Sequence, residues 1–142
     1  MKSALRGKRN FAATVDKFVR VSEARIDAVM KESTQRVIEE AQVPVAKGGK
    51  MRVDTGFLRN SGLVSLTGMP SGPSRPGDAA AGPPQDVNVE IAKAPPGAAI
   101  WFGWTANYAR PREYLDGFLR SAAQNWRGIV AKVSAELKER IK

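Results

Sequence analysis

The chain contains no cysteine and no histidine. Without cysteine there is neither a disulfide framework nor a thiolate metal site, and without histidine the other common zinc ligand is missing. The same absence removes the Ser-His and Cys-His nucleophile pairs and the commonest general base. Composition therefore argues against a transition-metal enzyme or a triad hydrolase and leaves only carboxylate or lysine chemistry.

Long apolar runs are also missing. The sequence has no stretch of about 18 apolar residues, so we expect no transmembrane helix and no membrane partner. The first ten residues, MKSALRGKRN, are basic but lead into an amphipathic pattern. This start lacks the unbroken apolar stretch and the small-residue cleavage site of a signal peptide.

The residues that are present indicate one globular domain with a strong positive charge. A chain of 142 residues with 42% hydrophobic and 26% charged residues falls in the ordinary globular range. Lys and Arg number 23 against 14 Asp and Glu, which gives a formal net charge of +9. This balance favours nucleic acid or an acidic protein surface as a neighbour.

An amphipathic pattern predicts a long helix over residues 11–42. Its apolar residues recur at steps of three and four, and neither Pro nor Gly interrupts them before Pro44. At ~1.5 Å per residue such a helix is roughly 45 Å long, too long for one small domain to cover its whole stripe. We therefore expect part of this stripe to contact another subunit.

Three shorter patterns predict strands, and a second helix follows them. The segments GLVSLTG (62–68), VNVEIA (87–92) and AAIWFGWTANYA (98–109) show alternation or aromatic and β-branched residues. They predict a small antiparallel sheet. After Pro111, apolar residues at helical spacing predict one helix that runs to the end of the chain. The order helix, sheet, helix makes this an α+β domain.

Two segments show no regular spacing of apolar residues. Residues 44–50, PVAKGGK, have the Pro and paired Gly of a loop. The interval 69–86 holds five of the nine prolines and almost no large apolar group, so it predicts a long mobile loop.

The triplet Asp54-Thr55-Gly56 has two interpretations. Asp-Thr-Gly is the signature of aspartic proteases, in which two such aspartates share a proton. Here the preceding residues 50–53 are half basic, and the following Phe-Leu-Arg does not suit that family's small-residue loop. We favour a structural turn through Ser61, in which Asp54 or Thr55 caps a short helical turn and Gly56 permits a tight approach.

Aromatic and basic residues near the third predicted strand also have two interpretations. They suit a stacking platform for single-stranded nucleic acid, or a set of core residues combined with a subunit contact. We favour core and contact. The set comprises Trp101, Phe102, Trp104, Tyr108, Arg110 and Arg112. The basic segment 47–50, KGGK, lacks the spacing of a phosphate-binding loop and is interpreted as solvated.

Taken in order, three short motifs resemble the neck or tail-completion proteins of long-tailed bacteriophages. The recurring motifs of that family are an acidic or polar residue followed by T-G-x-L-R-x-S, a Tyr-Ala at the end of a strand, and a helix start similar to Pro-Phe-Leu-x-x-Ala. The matching residues are Thr55, Gly56, Leu58, Arg59 and Ser61, then Tyr108 and Ala109, then Phe118, Leu119 and Ala122. The likeness spans about residues 10–140. It departs from the family where Arg110-Pro111-Arg112 replaces a Glu-x-Gly-Thr segment and where Gly117 replaces a common Pro.

The resemblance implies a non-enzymatic virion protein, assembled in the host cytoplasm, in the ring between the capsid portal and the tail tube. It implies a homo-oligomer of six- or twelve-fold symmetry, contacts with portal or connector and tail-tube or tail-terminator proteins, and proximity to DNA. The expected structural turn is Asp54, Thr55, Gly56, Leu58, Arg59 and Ser61. The expected subunit contact is Trp101, Trp104, Tyr108, Arg110, Arg112 and Phe118. The alternative is a stand-alone basic nucleic-acid-binding protein.

Overall fold

The computed structural model describes residues 2–70, 72, 75 and 85–141. The elements follow in the order helix α1 (Lys2–Ala41), a 3-10 helix (Val45–Lys47), helix α2 (Phe57–Asn60), strand β1 (Gly62–Ser65), helix α3 (Val87–Ala92), strand β2 (Trp101–Trp104), and helices α4 (Ala109–Asp116), α5 (Phe118–Gln124) and α6 (Trp126–Ile141). The predicted α+β class, with a long first helix, a small antiparallel sheet and a helical end, is confirmed.

Helix α1 begins nearer the start of the chain than predicted. It runs for 40 residues from Lys2 to Ala41, a length of roughly 60 Å at ~1.5 Å per residue. A glycine inside a helix costs only about 1 kcal/mol, so Gly7 does not stop it. The helix ends before Pro44, as predicted, and the loop that follows includes the short 3-10 helix Val45–Lys47.

The sheet in the described part of the chain has two strands. β1 and β2 are antiparallel, with Gly62 opposite Trp104 and Ser65 opposite Trp101. The other edge of β1 is covered by the Gln85 amide, whose Oε1 accepts the Val64 N–H at 2.7 Å and whose Nε2 donates to the Val64 carbonyl at 3.2 Å. A covered edge cannot pair with a further strand at that position.

The prediction of a strand at VNVEIA is wrong, because this segment forms helix α3. The Asp86 side chain caps the helix by accepting the Val89 N–H at 3.2 Å. Val87 and Ile91 are partly or fully buried while Val89 is 49% exposed, so the buried positions follow a step of four and not of two. Three apolar residues in six are compatible with a helical period and with a strand period, and the cap formed by Asp86 favours the helix.

The prediction of one continuous C-terminal helix is also wrong. Gly117 has a φ of +67°, ends α4 and begins α5, and Asn125 separates α5 from α6. Because the chain turns at Gly117, residues predicted to share one buried face are separated. Val133 is fully buried, whereas Leu115 is 68% exposed and Leu119 is 43% exposed.

Two hydrophobic clusters form the core. The first contains Met51, Leu58, Ala106 and Phe118, with four partly buried side chains packed around them. The second contains Ile38, Val64 and Ile91, and joins α1 and α3 to the sheet. The interval 69–86, predicted to be a mobile loop, lies mostly outside the described residues.

A charge network joins α1 to α6. The Arg36 guanidinium donates to Glu32 at 2.9 Å and also to Glu136, and Arg140 lies 3.7 Å from Glu32. The hydrogen bond from Arg36 holds the pKa of Glu136 below its ordinary value. The same two carboxylates raise the pKa of Arg36, which therefore stays charged at any accessible pH.

We expect the Glu136 contact to make part of the stability of the fold sensitive to acid. A carboxylate whose pKa is lowered by folding stabilises the fold above its unfolded pKa, about 4.3, and this contribution is lost as pH falls through the lower folded value. Glu136→Gln should therefore show a smaller drop in melting temperature between neutral pH and about pH 3 than the parent. The control is Glu23→Gln, at an exposed carboxylate of α1. Equal acid sensitivity in the parent and both variants would contradict the prediction.

Candidate assembly surfaces

The Asp-Thr-Gly triplet forms a tight turn at the start of helix α2. Gly56 has a φ of +82° and a ψ of 0°, a left-handed conformation that disfavours any residue with a Cβ. The Thr55 hydroxyl accepts the Phe57 N–H at 3.3 Å, so Thr55, and not Asp54, supplies the local side-chain contact. The Gly56 carbonyl then accepts the Asn60 N–H at 2.9 Å and closes the helical turn.

The end of this turn is tied to the end of strand β2. The Ser61 hydroxyl donates to the Leu58 carbonyl at 2.6 Å, and the Ser61 carbonyl accepts the Thr105 N–H at 3.1 Å and the Thr105 hydroxyl at 3.2 Å. Leu58 is 3% exposed and lies in the first core cluster. The motif therefore positions one buried leucine and one buried serine, while Asp54 and Arg59 lie at the surface.

The aromatic residues of β2 divide between the core and the surface. The ring of Trp104 lies edge-on to Phe102 at 4.8 Å and to Phe118 at 5.0 Å between centroids. Phe118 is only 2% exposed. Our assignment of Phe118 to a subunit contact is therefore corrected, because its side chain packs in the hydrophobic core of its own chain. Trp101 is 42% exposed and stays at the surface.

The polar residues of the predicted subunit contact differ in their exposure and in their bonding partners. Tyr108 is half-buried, with its ring 6.1 Å from that of Phe57. Arg112 binds Asp116 of the same helix through Nε at 2.9 Å and Nη2 at 2.6 Å, so its guanidinium is already engaged. Arg110 is exposed. Of the aromatic residues on β2, Trp101 is exposed and Phe102 and Trp104 are partly buried.

The acidic residues of α4 have structural partners that sequence reasoning missed. The Glu113 carboxylate accepts the backbone N–H groups of Leu119 at 2.8 Å and Arg120 at 2.9 Å. It thus caps the start of α5, where a negative charge is favourable. Tyr114 of the same helix is 81% exposed.

The first half of α1 carries exposed apolar side chains. We call residues 10–20 the arm. Every residue of the arm is exposed, including Phe11 at 72%, Val15 at 44% and Phe18 at 71%. These three are spaced by four and three residues, so they share one face of the helix. Residues 10–20 thus present an exposed apolar stripe that the rest of the described chain does not cover.

No family model, curated protein or solved structure matches this chain. None of the helices in the described ranges is long and apolar enough to cross a membrane. Within those same ranges, no group of three or more Asp or Glu residues is arranged to hold a metal ion.

Proposed function

We propose that this chain is a structural subunit of the ring that joins the capsid portal or connector of a long-tailed bacteriophage to its tail. The observation that carries the proposal is the arm, an apolar helical surface that the subunit itself leaves bare. A large exposed apolar surface is uncommon on a monomeric protein and often marks a site where another protein binds. The ring's six- or twelve-fold symmetry and its location in the virion neck come from the resemblance of the sequence motifs.

A second support is the way the three motifs of the resemblance meet in space. Leu58, Ala109 and Phe118 come from three separate motifs, and all three belong to or pack against the first core cluster. A set of short motifs that builds one core is a fold signature and not a catalytic one. The net charge of +9 suits a ring through which DNA passes.

Deleting the gene from its phage tests the proposal. We expect lysates with DNA-filled heads and separate tails that do not join, seen by electron microscopy. Phe18→Glu should reproduce this defect and abolish most of the infectious titre. Its effect on the melting temperature should be small, since exposed positions usually change stability by less than about 0.5 kcal/mol.

The matched control for this experiment is Asp54→Asn. It removes the carboxylate of the Asp-Thr-Gly triplet at an exposed position, so a structural protein should keep its titre. Normal particles in the absence of the gene would overturn the proposed function. Loss of titre in a well-folded Asp54→Asn protein would instead favour an enzyme.

A further inference from the structure

The positive charge of the chain is concentrated at the start of helix α1. Residues 1–25 hold seven Lys or Arg against two Asp or Glu, whereas the other 117 residues hold 16 against 12. Residues 26–41 of the same helix have the opposite balance, with two Lys or Arg against four Asp or Glu. Both of those cations, Lys31 and Arg36, form ion pairs within the helix. More than half of the net charge of +9 therefore belongs to one end of α1.

The cations at this end follow one side of the helix. Positions 2, 6, 9, 13, 17 and 20 are separated by steps of three and four, which keeps them on one side of an α-helix. Five of these six positions carry Lys or Arg, and their span is roughly 27 Å at ~1.5 Å per residue. We call these five residues the basic row: Lys2, Arg6, Arg9, Lys17 and Arg20.

The basic row lies on the side of α1 that faces away from the apolar stripe of the arm. At ~100° per residue, Arg20 lies about 160° from Phe18, and the same angle separates Lys17 from Val15. Both cations are exposed, and the Arg20 side chain is 77% exposed. Its ion pair with Asp16, at 2.7 Å, joins two exposed groups and is weak enough to be exchanged for another anion. An anion can thus bind this row without covering the apolar stripe.

The stability of the helix does not account for this arrangement. The N-terminal end of a helix has a partial positive charge, so cations are unfavourable there and carboxylates are favourable. The first turn of α1 begins with Lys2 and contains no acidic residue. Like charges four residues apart, as at positions 2 and 6, are also unfavourable in a helix. A polyanion beside the row would offset both costs, because it neutralises the charges that repel one another.

The placement of the row suits DNA better than a membrane surface. A helix that lies in a membrane surface buries its apolar face in the lipid, so a row on the opposite side would point towards water. Duplex DNA requires only the row. It presents about one phosphate charge per ~1.7 Å of its axis, and its major groove, about 12 Å wide, admits an α-helix.

We propose that the basic row of α1 binds the phosphates of duplex DNA without reading the base sequence. This contact deepens the proposed function, since it names the surface of the ring subunit that faces the DNA. It rests on that function only for its place in the particle, because the purified chain should bind DNA by itself.

The salt dependence of binding to a short fluorescent duplex, followed by anisotropy, tests this contact. Each phosphate contact adds about 0.9 to the slope of log affinity against log salt concentration. The row variant, Lys17→Gln/Arg20→Gln, should therefore lower the slope by about 1.8 and weaken binding on the order of 60-fold at ~0.1 M salt. Both positions are exposed, so the variant should fold, as circular dichroism can verify.

Two control variants accompany this measurement. Arg127→Gln/Lys132→Gln removes one Arg and one Lys from exposed positions of α6, so it changes the net charge equally and should keep the slope of the parent. Phe11→Ser/Phe18→Ser changes the exposed apolar stripe of the arm and leaves the row intact. Its affinity for DNA should match that of the parent.

Three results would overturn the contact. The first is a parent that does not bind the duplex even at ~50 mM salt, where phosphate contacts are strong. The second is an equal loss of affinity in the row variant and the α6 variant, which would assign binding to the net charge and not to the row. The third is a parent that binds vesicles of phosphatidylglycerol in preference to DNA and loses this binding in the Phe11→Ser/Phe18→Ser variant, which would indicate a lipid surface.

The gene deletion decides the proposed function separately. Heads and tails that fail to join, together with a chain that does not bind DNA, would retain the function and reject the contact. Normal particles without the gene, together with DNA binding through the basic row, would reject the function and retain the contact.

Discussion

Phe118→Ala is expected to destabilise the fold by about 3–5 kcal/mol, the usual cost of removing a buried phenylalanine. Its ring is 2% exposed and lies edge-on to Trp104 at 5.0 Å, so alanine leaves a cavity and removes an aromatic contact. Because a domain of this size is stable by only about 5–15 kcal/mol, the melting temperature should fall by on the order of 10 °C. Thermal unfolding of the purified protein measures this directly.

The neighbouring residue supplies the control. Leu119 follows Phe118 in the same helix but is 43% exposed, so Leu119→Ala should change the melting temperature far less. The comparison separates a core role for Phe118 from the subunit contact that its sequence motif suggested. If Phe118→Ala spared thermal stability and weakened only assembly, the core placement would be contradicted and the contact restored.

The sequence predicted the architecture where one physical signal dominated. The long stripe from Phe11 to Ala41 admits only a helix, because its period extends over eight turns and no proline interrupts it. The Asp-Thr-Gly turn was predicted from a polar cap followed by a glycine that permits a tight approach. The structure gives the glycine a different reason, because Gly56 has a φ of +82°.

The predictions that failed depend on contacts distant in sequence or on a single local bond. VNVEIA alternates like a strand, but its helix is stabilised by one cap and by Ile91, which lies in one hydrophobic cluster with Ile38 of α1. The break at Gly117 depends on the Glu113 carboxylate reaching two backbone N–H groups beyond it. The spacing of apolar residues reveals neither the Asp86 cap nor the Glu113 contacts, because both are hydrogen bonds between a side chain and the backbone.

The candidate contact residues illustrate the same limit. Sequence composition placed Trp104 and Phe118 with Trp101 because aromatic residues suit both cores and interfaces. Only the three-dimensional packing separates them: the rings of Trp104 and Phe118 pack edge-on against each other, while Trp101 stays at the surface. The exposure of part of the long stripe was predicted, because a small domain cannot cover so long a helix, while its contact with another subunit stays a prediction.

Leu58→Ala is expected to cost about 2–5 kcal/mol, because Leu58 is 3% exposed and occupies the same core cluster as Phe118. The Asp-Thr-Gly turn would then act by holding this leucine in the core. Arg59→Ala, at the next and exposed position, is the control and should leave the free energy of unfolding nearly unchanged. Urea denaturation of both variants gives the comparison.

A double-mutant cycle tests whether the turn and the α5 motif stabilise one another. Phe118→Leu is mild enough to keep the double variant with Leu58→Ala folded. Because both residues belong to one cluster, their combined cost should differ from the sum of the single costs by about 0.5–3 kcal/mol. Ile91→Val, in the second cluster, should add to Leu58→Ala within about 0.5 kcal/mol. Strict additivity of Leu58→Ala with Phe118→Leu would mean that the two motifs are energetically independent, and the idea that they form one core would fail.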